Sequence, residues 1–208
     1  MTVLDARKRL TRRLRRVQLD PSPDVVEGLL LYYDLLYRWN AKINLTSLPD
    51  GDEAVDRLLV EPLLAVRLLS DSTGLLLDVG SGGGSPAIPL KLSVPTVQLW
   101  MVEAKARKSA FLREAVRQLG LSDVHVAPKR LDDVVGEGGV WGLADTISLR
   151  GVRADLKLLT SLHTFLRPSG QILFFSTLDT GTRLQLPPQL QFIAEHPLMS
   201  ALQTCVVV

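Results

Sequence analysis

Leu75-Leu76-Leu77-Asp78-Val79-Gly80-Ser81-Gly82-Gly83-Gly84-Ser85-Pro86 reads as a short apolar strand that ends near an acid, a glycine-rich turn, and a helix start. Glycine has no Cβ and reaches positive φ freely, so the backbone of such a turn can come close to a ligand. The helix that follows points free N–H groups into the turn. Asp78, before the first glycine, would repel a pyrophosphate but would attract a cation or accept from hydroxyl and amine donors. The stretch therefore favours a nucleoside ligand that carries positive charge.

Strand and helix patterns alternate from there onward. Strands are expected at 75–79, 97–102, 124–127, 144–149 and 171–176, with helices at 87–92, 105–119, 131–135 and 154–166. Apolar runs such as Leu75–Val79 suit a parallel sheet covered on both faces, and repeated βα units imply right-handed, doubly wound α/β architecture. Two weaker strands, at 191–194 and 204–208, are expected as an antiparallel edge pair. Upstream, Asp20-Pro21-Ser22-Pro23 offers a cap followed by proline at a helix start, and the helix it opens ends near Trp39-Asn40. A turn-rich loop follows, and then a helix from Asp52 reaching Val60, with Pro62 kinking it or beginning another turn. The expected fold class is thus α/β, a Rossmann-like sheet with helices on both faces, preceded by a small N-terminal helical layer. The helical segment is assigned to residues 1–72 and the sheet domain to 73–208.

Composition bounds the rest. With 46% hydrophobic and 22% charged residues the chain has the make-up of an ordinary globular protein. One cysteine, Cys205, excludes an internal disulfide and any multi-cysteine metal site, which fits a reducing compartment. His125, His163 and His196 are too scattered for a metal motif, so no metal is expected. No apolar run is long enough to cross a membrane, and the N-terminus lacks the apolar core of a secretory signal. Residues 1–20 hold seven basic residues against Asp5 and Asp20, leaving that end at +5 in a chain of net +2 and the remainder at −3. Such an end suits contact with nucleic acid, or is simply the solvated face of a helix whose other face carries Ala6, Leu10, Leu14 and Val17.

Two glycine frames compete for the ligand. Gly82-Gly83-Gly84-Ser85-Pro86-Ala87 fits the spacing of a dinucleotide-binding turn. Pro86 and Pro89 argue against it, because neither has the N–H that a pyrophosphate needs in the first helical turn. The other frame, Asp78-x-Gly80-x-Gly82-x-Gly84, resembles the first signature of Rossmann-like S-adenosylmethionine-dependent methyltransferases. Glu103, at the end of the second strand, stands where an acid takes ribose hydroxyls in either frame.

Further motifs make the resemblance specific. Trp39-Asn40-Ala41-Lys42-Ile43-Asn44-Leu45-Thr46 resembles the W-N-x-x-x-N-L-T signature of the RsmG (GidB) family. Leu77–Gly84 followed by Pro86, Ile88 and Pro89 is similar to that family's cofactor loop, and Glu103-x-x-x-Arg107-Lys108-x-x-Phe111-Leu112 to its second-strand segment. The resemblance implies a cytoplasmic bacterial enzyme, expected as a monomer, that methylates N7 of a guanine in 16S (small-subunit) ribosomal RNA using S-adenosyl-L-methionine. The partner implied is that RNA or the 30S particle, with no membrane. A related methyltransferase with another acceptor, or a cofactor-binding RNA-associated protein without catalysis, remain the alternatives. The residues agree with N7 by what they lack. Ile147-Ser148-Leu149-Arg150-Gly151 holds no N/D-P-P-Y/F/W loop for an exocyclic amine, and Cys205 sits in an apolar run unsuited to a thiolate nucleophile. Guanine N7 has a lone pair and no proton to lose, so no general base is needed, only alignment.

The resemblance implies cofactor contacts from Asp78, Gly80, Gly82, Gly84, Ser85, Glu103, Leu131, Asp132 and Arg150, with Arg150 also the catalytic residue. Arg130 is similar to a family arginine near the active site; Asn44 and Thr46 either cap their turn or line the RNA target pocket, and Arg153, Lys42 and Lys108 are among the cations that could meet phosphates. Trp39 is expected to pack the helical layer onto the sheet. The chain also departs from the family. Ser85 and Ala87 stand where a bulky apolar residue and a glycine are usual, and Leu58 and Pro62 replace His and Ser. Phe174-Phe175-Ser176-Thr177 lacks the usual lysine and glycine, and the basic residue common before the final strand is missing.

Overall fold

The computed structural model describes residues 3–69, 74–134, 140, 142–177, 184–199 and 204–207. Its centre is a seven-stranded sheet of β1 (Leu75–Val79), β2 (Gln98–Val102), β3 (Val124–Ala127), β4 (Ala144–Arg150), β5 (Leu166–Thr177), β6 (Glu195–Met199) and β7 (Thr204–Val207). The spatial order is β3-β2-β1-β4-β5-β7-β6. The first five strands run parallel, and β7 is antiparallel to both β5 and β6. β1 lies between β2 and β4, and every one of its residues is buried. Its side chains alternate between two cores. Leu76 joins Leu99, Met101, Ile88 and Phe111 on one side, and Leu75, Leu77 and Val79 join Ile147, Leu149 and Phe165 on the other. Each such leucine contributes roughly 1.5–3 kcal/mol by leaving water.

The helices follow from their caps and apolar faces. α1 (Val3–Arg16) and α2 (Pro23–Asn40) pack on the Leu76 side, with Leu10, Leu29 and Leu36 fully buried. Ser22 Oγ accepts from Val25 N–H at the start of α2, with Pro23 in the first turn. α3 (Asp52–Val55), a π-helical turn (Asp56–Val60) and α4 (Glu61–Ala65) form one continuous rod. α5 (Ala87–Ser93) and α6 (Ala106–Gln118) complete that face. On the other face, α7 (Leu131–Val134) and α8 (Leu156–His163) cover the second core, α8 opening at Asp155, whose Oδ1 accepts from Leu158 N–H at 2.9 Å.

Several expectations shift. No strand forms at 191–194; the segment that pairs with β7 is Glu195–Met199. β5 begins at Leu166, five residues earlier than its apolar run, across an irregularity opposite Ala144 and Thr146. The helix from Asp52 does not end at Val60 but continues to Ala65, with the irregularity placed ahead of Pro62. The boundary expected at 72/73 lies outside the described residues, as do residue 135 of the short helix and Val208.

The arginines of α1 are largely committed within the fold. Arg7 pairs with Glu27, Arg9 with Asp50 and Asp52, Arg12 with Asp52, and Arg13 with the nearly buried Asp56. These contacts bind α1 to α2 and to the rod. Lys8, Arg15 and Arg16 stay exposed.

Candidate active site

The glycine turn lies at the C-terminal end of β1. Gly80 adopts φ +74°, and a Cβ there would lie 2.6 Å from Val152 Cγ2, so a side chain is excluded by both conformation and space. Gly82 has φ +51° with room around it, so there the left-handed backbone is the constraint. The turn is fixed from three directions. Gly80 and Ser81 donate their N–H groups to Val102 O, at 2.9 and 3.2 Å. Tyr32 of α2 donates its hydroxyl to Gly83 O at 2.6 Å. Glu103 Oε2 accepts from Gly82 N–H at 2.9 Å while Oε1 accepts from Lys105 N–H at 2.8 Å. Each of those oxygens has a second lone pair, so Glu103 can hold the turn and still accept from vicinal hydroxyls.

Asp78 sits behind the turn with 1% exposure. Its Oδ1 accepts from Ser148 Oγ at 2.5 Å, whereas Oδ2 is buried without a hydrogen-bond partner. Burial is the main cause pushing its pKa up to about 6, opposed by the Ser148 hydrogen bond. A buried carboxylate with one orphaned oxygen beside a glycine cradle fits a ligand bearing amine or hydroxyl donors.

A cavity of about 640 Å³ opens over this turn. Its walls bring together Asn44, Thr46, Gly80, Gly82, Ser85 and Arg150, six of the residues expected from the sequence. The Asn44–Thr46 wall is shaped by Asn40, whose Oδ1 accepts from Leu45 and Thr46 N–H at 2.8 and 3.0 Å. Thr46 Oγ1 in turn accepts from Leu48 N–H at 3.1 Å. Trp39 packs edge-on against Phe111 at 5.7 Å, joining the helical layer to α6. Ser85 Oγ donates to Leu58 O at 2.9 Å, so in this chain that position grips the rod.

Arg150, the last residue of β4, is held on several sides. Its Nη2 donates to Glu61 Oε2 at 2.8 Å, its Nη1 donates to the carbonyl of Arg57, and its guanidinium lies 4.5 Å from the Phe175 ring centroid. Glu61, 3% exposed, accepts at Oε1 from Thr204 Oγ1 at 2.6 Å. Burial raises the Glu61 pKa and lowers that of Arg150, and in each the attraction of the partner opposes the shift.

Other expected residues do not line this cavity. Asp78 and Glu103 are buried beside the turn rather than in its lining, and Gly84, at φ +88°, is buried with its N–H donated to Ser81 O at 2.6 Å. Leu131 is buried in the apolar cluster with Val79 and Val102, Asp132 is exposed at 4.0 Å from Lys157, and Arg130 and Arg153 are exposed. Glu61, Ser148 and Tyr32 belong to the site although no sequence motif marks them. Glu61 carried a readable signal, a lone acid inside Leu58-Leu59-Val60-Glu61-Pro62-Leu63-Leu64. Among the described residues, no helix is long and apolar enough to cross a membrane.

The geometry can be set beside known proteins. Residues 26–185 match the family described as GidB: rRNA small subunit methyltransferase G, a span that covers β1 to β5 but neither α1 nor β6 and β7. Proteins named ribosomal RNA small subunit methyltransferase G are similar along the chain. That of Neisseria meningitidis is 36% identical over 155 residues, covering 71% of this chain and 74% of its own. That of Stenotrophomonas maltophilia is 38% identical over 145 residues, covering 70% and 66%. Among solved structures, an S-adenosylmethionine-dependent methyltransferase from Aquifex aeolicus superposes with TM-score 0.54 at 16% identity, over 76% of this chain and 92% of its own. A glutamate-to-glutamine mutant of MtNAS, solved with S-adenosylmethionine, gives TM-score 0.56 at 13% identity, over 86% and 71%. At these identities the structures speak for the fold, and the sequence match speaks for the family. The chain belongs to the GidB family, the small-subunit ribosomal RNA methyltransferases G.

Proposed function

We propose that this chain uses S-adenosylmethionine to methylate N7 of a guanine in 16S ribosomal RNA, acting as a monomer in the bacterial cytoplasm. The observation that carries the reading is the shared cavity, whose lining includes both the glycine turn and Arg150. Gly80 and Gly82 present backbone without side chains, Glu103 offers acceptors for ribose hydroxyls, and Asp78 places buried negative charge behind the turn. When bound, the cofactor supplies a methyl group activated by a sulfonium. The protein's own task is alignment and partial exclusion of water.

Guanine N7 attacks with its lone pair, and no proton leaves, so the absence of a free base among the described cavity residues is consistent. The one acid there, Glu61, is engaged by Arg150 and Thr204. Arg150 would orient the base or its phosphate through donors not used by Glu61 and Arg57. It must not donate to N7, because that would occupy the attacking lone pair. Asn44, Thr46 and Lys108 also line the cavity and would contact the RNA, while Arg130, Arg153, Lys8, Arg15 and Arg16 offer exposed charge for phosphates. Calorimetry with S-adenosylmethionine, followed by incubation with labelled cofactor and small-subunit RNA, tests the reading. Binding and label transfer support it, and binding of NAD in place of S-adenosylmethionine contradicts it.

A further inference from the structure

Pro62 has a local consequence that reaches the candidate site. In an α-helical register the carbonyl of Leu58 would accept from residue 62, which has no N–H. The π-turn adds a second orphan. Glu61 N–H donates to Asp56 O, five residues back, so it is unavailable to Arg57 O, and the next donor in that wider register is again Pro62. Two consecutive carbonyls, of Arg57 and Leu58, therefore lose their ordinary helical donors. Arg150 Nη1 reaches the first and Ser85 Oγ the second, at 2.9 Å for Ser85.

The same turn carries Glu61 to the Arg150 guanidinium. Glu61 is the only acid among the described residues lining the cavity, alongside Arg57, Lys108 and Arg150. One of its oxygens faces Arg150 at 2.8 Å and the other is held by Thr204 of β7 at 2.6 Å, so the carboxylate is fixed from both ends. Phe175 supports the guanidinium plane.

We propose that Glu61 is the positioning residue of Arg150, with the proline-freed carbonyl of Arg57 as its second anchor and Thr204 as the brace. The role rests on the methyl-transfer reading in one respect. Alkylation at N7 moves positive charge onto the guanine ring, and an uncompensated guanidinium beside it would oppose that movement. Glu61 both sets the Arg150 geometry and offsets its charge.

Glu61→Gln and Thr204→Val in the full chain test this by two independent readouts. The first is nitrogen NMR of the Arg150 guanidinium, whose Nη signals stay separate while rotation is blocked. The second is kcat and KM for methyl transfer, with cofactor affinity by calorimetry. Glu61→Gln is expected to merge the Nη signals and lower kcat by roughly ten- to a hundredfold, with S-adenosylmethionine affinity unchanged within about twofold. Thr204→Val, which deletes one hydroxyl, is expected to produce a smaller loss of the same kind, and it serves if Glu61→Gln does not fold. Separate Nη signals in both variants, or an unchanged kcat, overturn the proposal. If the wild-type protein transfers no methyl, the functional reading fails, and the NMR readout alone then decides whether Glu61 positions Arg150.

Discussion

Ser85 Oγ donates to the carbonyl of Leu58, and that carbonyl is free of its α-helical donor because residue 62 is proline. Two departures from the family, Ser85 and Pro62, are thus one structural arrangement. Ser85→Ala is expected to destabilise the protein by about 1 kcal/mol, the net worth of one hydrogen bond to a partly buried acceptor. In a Pro62→Ala background, where residue 62 regains an N–H, the same change should cost clearly less. Urea unfolding of the two single variants and the double variant measures the difference. Additive costs would show that the two residues are not coupled.

Asp78 gives a pH signature. Its pKa rises from 3.8 to about 6 on folding, so between those values the folded state binds more protons than the unfolded state. Stability contributed by this group is therefore present below pH ~4, falls as pH rises to about 6, and is level above. The total is on the order of 3 kcal/mol. Asp78→Asn should flatten that slope in denaturation curves of the ligand-free protein. A slope unchanged by the substitution would place the titration elsewhere.

Breaking the inward-facing charges of α1 should separate buried from exposed pairs. Arg13 and Asp56 have side chains 12% and 2% exposed, whereas Arg12 is 65% exposed. Arg13→Ala leaves a buried carboxylate without its cation and should cost about 3 kcal/mol or more. Arg12→Ala should cost no more than about 1 kcal/mol. Thermal or urea unfolding ranks the two, and equal costs would refute the distinction.

Glu103 is expected to act in cofactor affinity. Glu103→Ala removes the grip on Gly82 N–H and, with it, the acceptor proposed above for ribose hydroxyls. Calorimetry should show S-adenosylmethionine binding weakened by at least about tenfold, corresponding to about 1.4 kcal/mol. An unchanged Kd would remove Glu103 from the cofactor site.

What the sequence revealed depended on how local the physics was. The alternation from Leu75 onward was legible because a buried parallel strand is a short apolar run, and the glycines announced a turn that only they can make. Trp39–Thr46 carried the family resemblance, and its geometry is also local, since Asn40 organises residues only five and six positions away. The Glu61–Arg150 pair was not legible, because it joins residues 89 positions apart through a helix irregularity with no periodic signature. The ion pairs of the α1 arginines were not legible, because Asp50, Asp52 and Asp56 lie about 40 residues downstream of the arginines they meet. Leu131 packs its side chain with Val79 and Val102, a core contact that residue type alone does not distinguish from a cofactor wall.

The most direct test is to map N7-methylguanine in small-subunit ribosomal RNA after incubation with the purified protein and S-adenosylmethionine, using wild type and Arg150→Ala side by side. One N7-methylated guanine is expected with the wild-type protein, and a loss of at least about a hundredfold in its rate of formation with Arg150→Ala. No N7-methylguanine with the wild-type protein, or the same rate with both proteins, would contradict the proposed function.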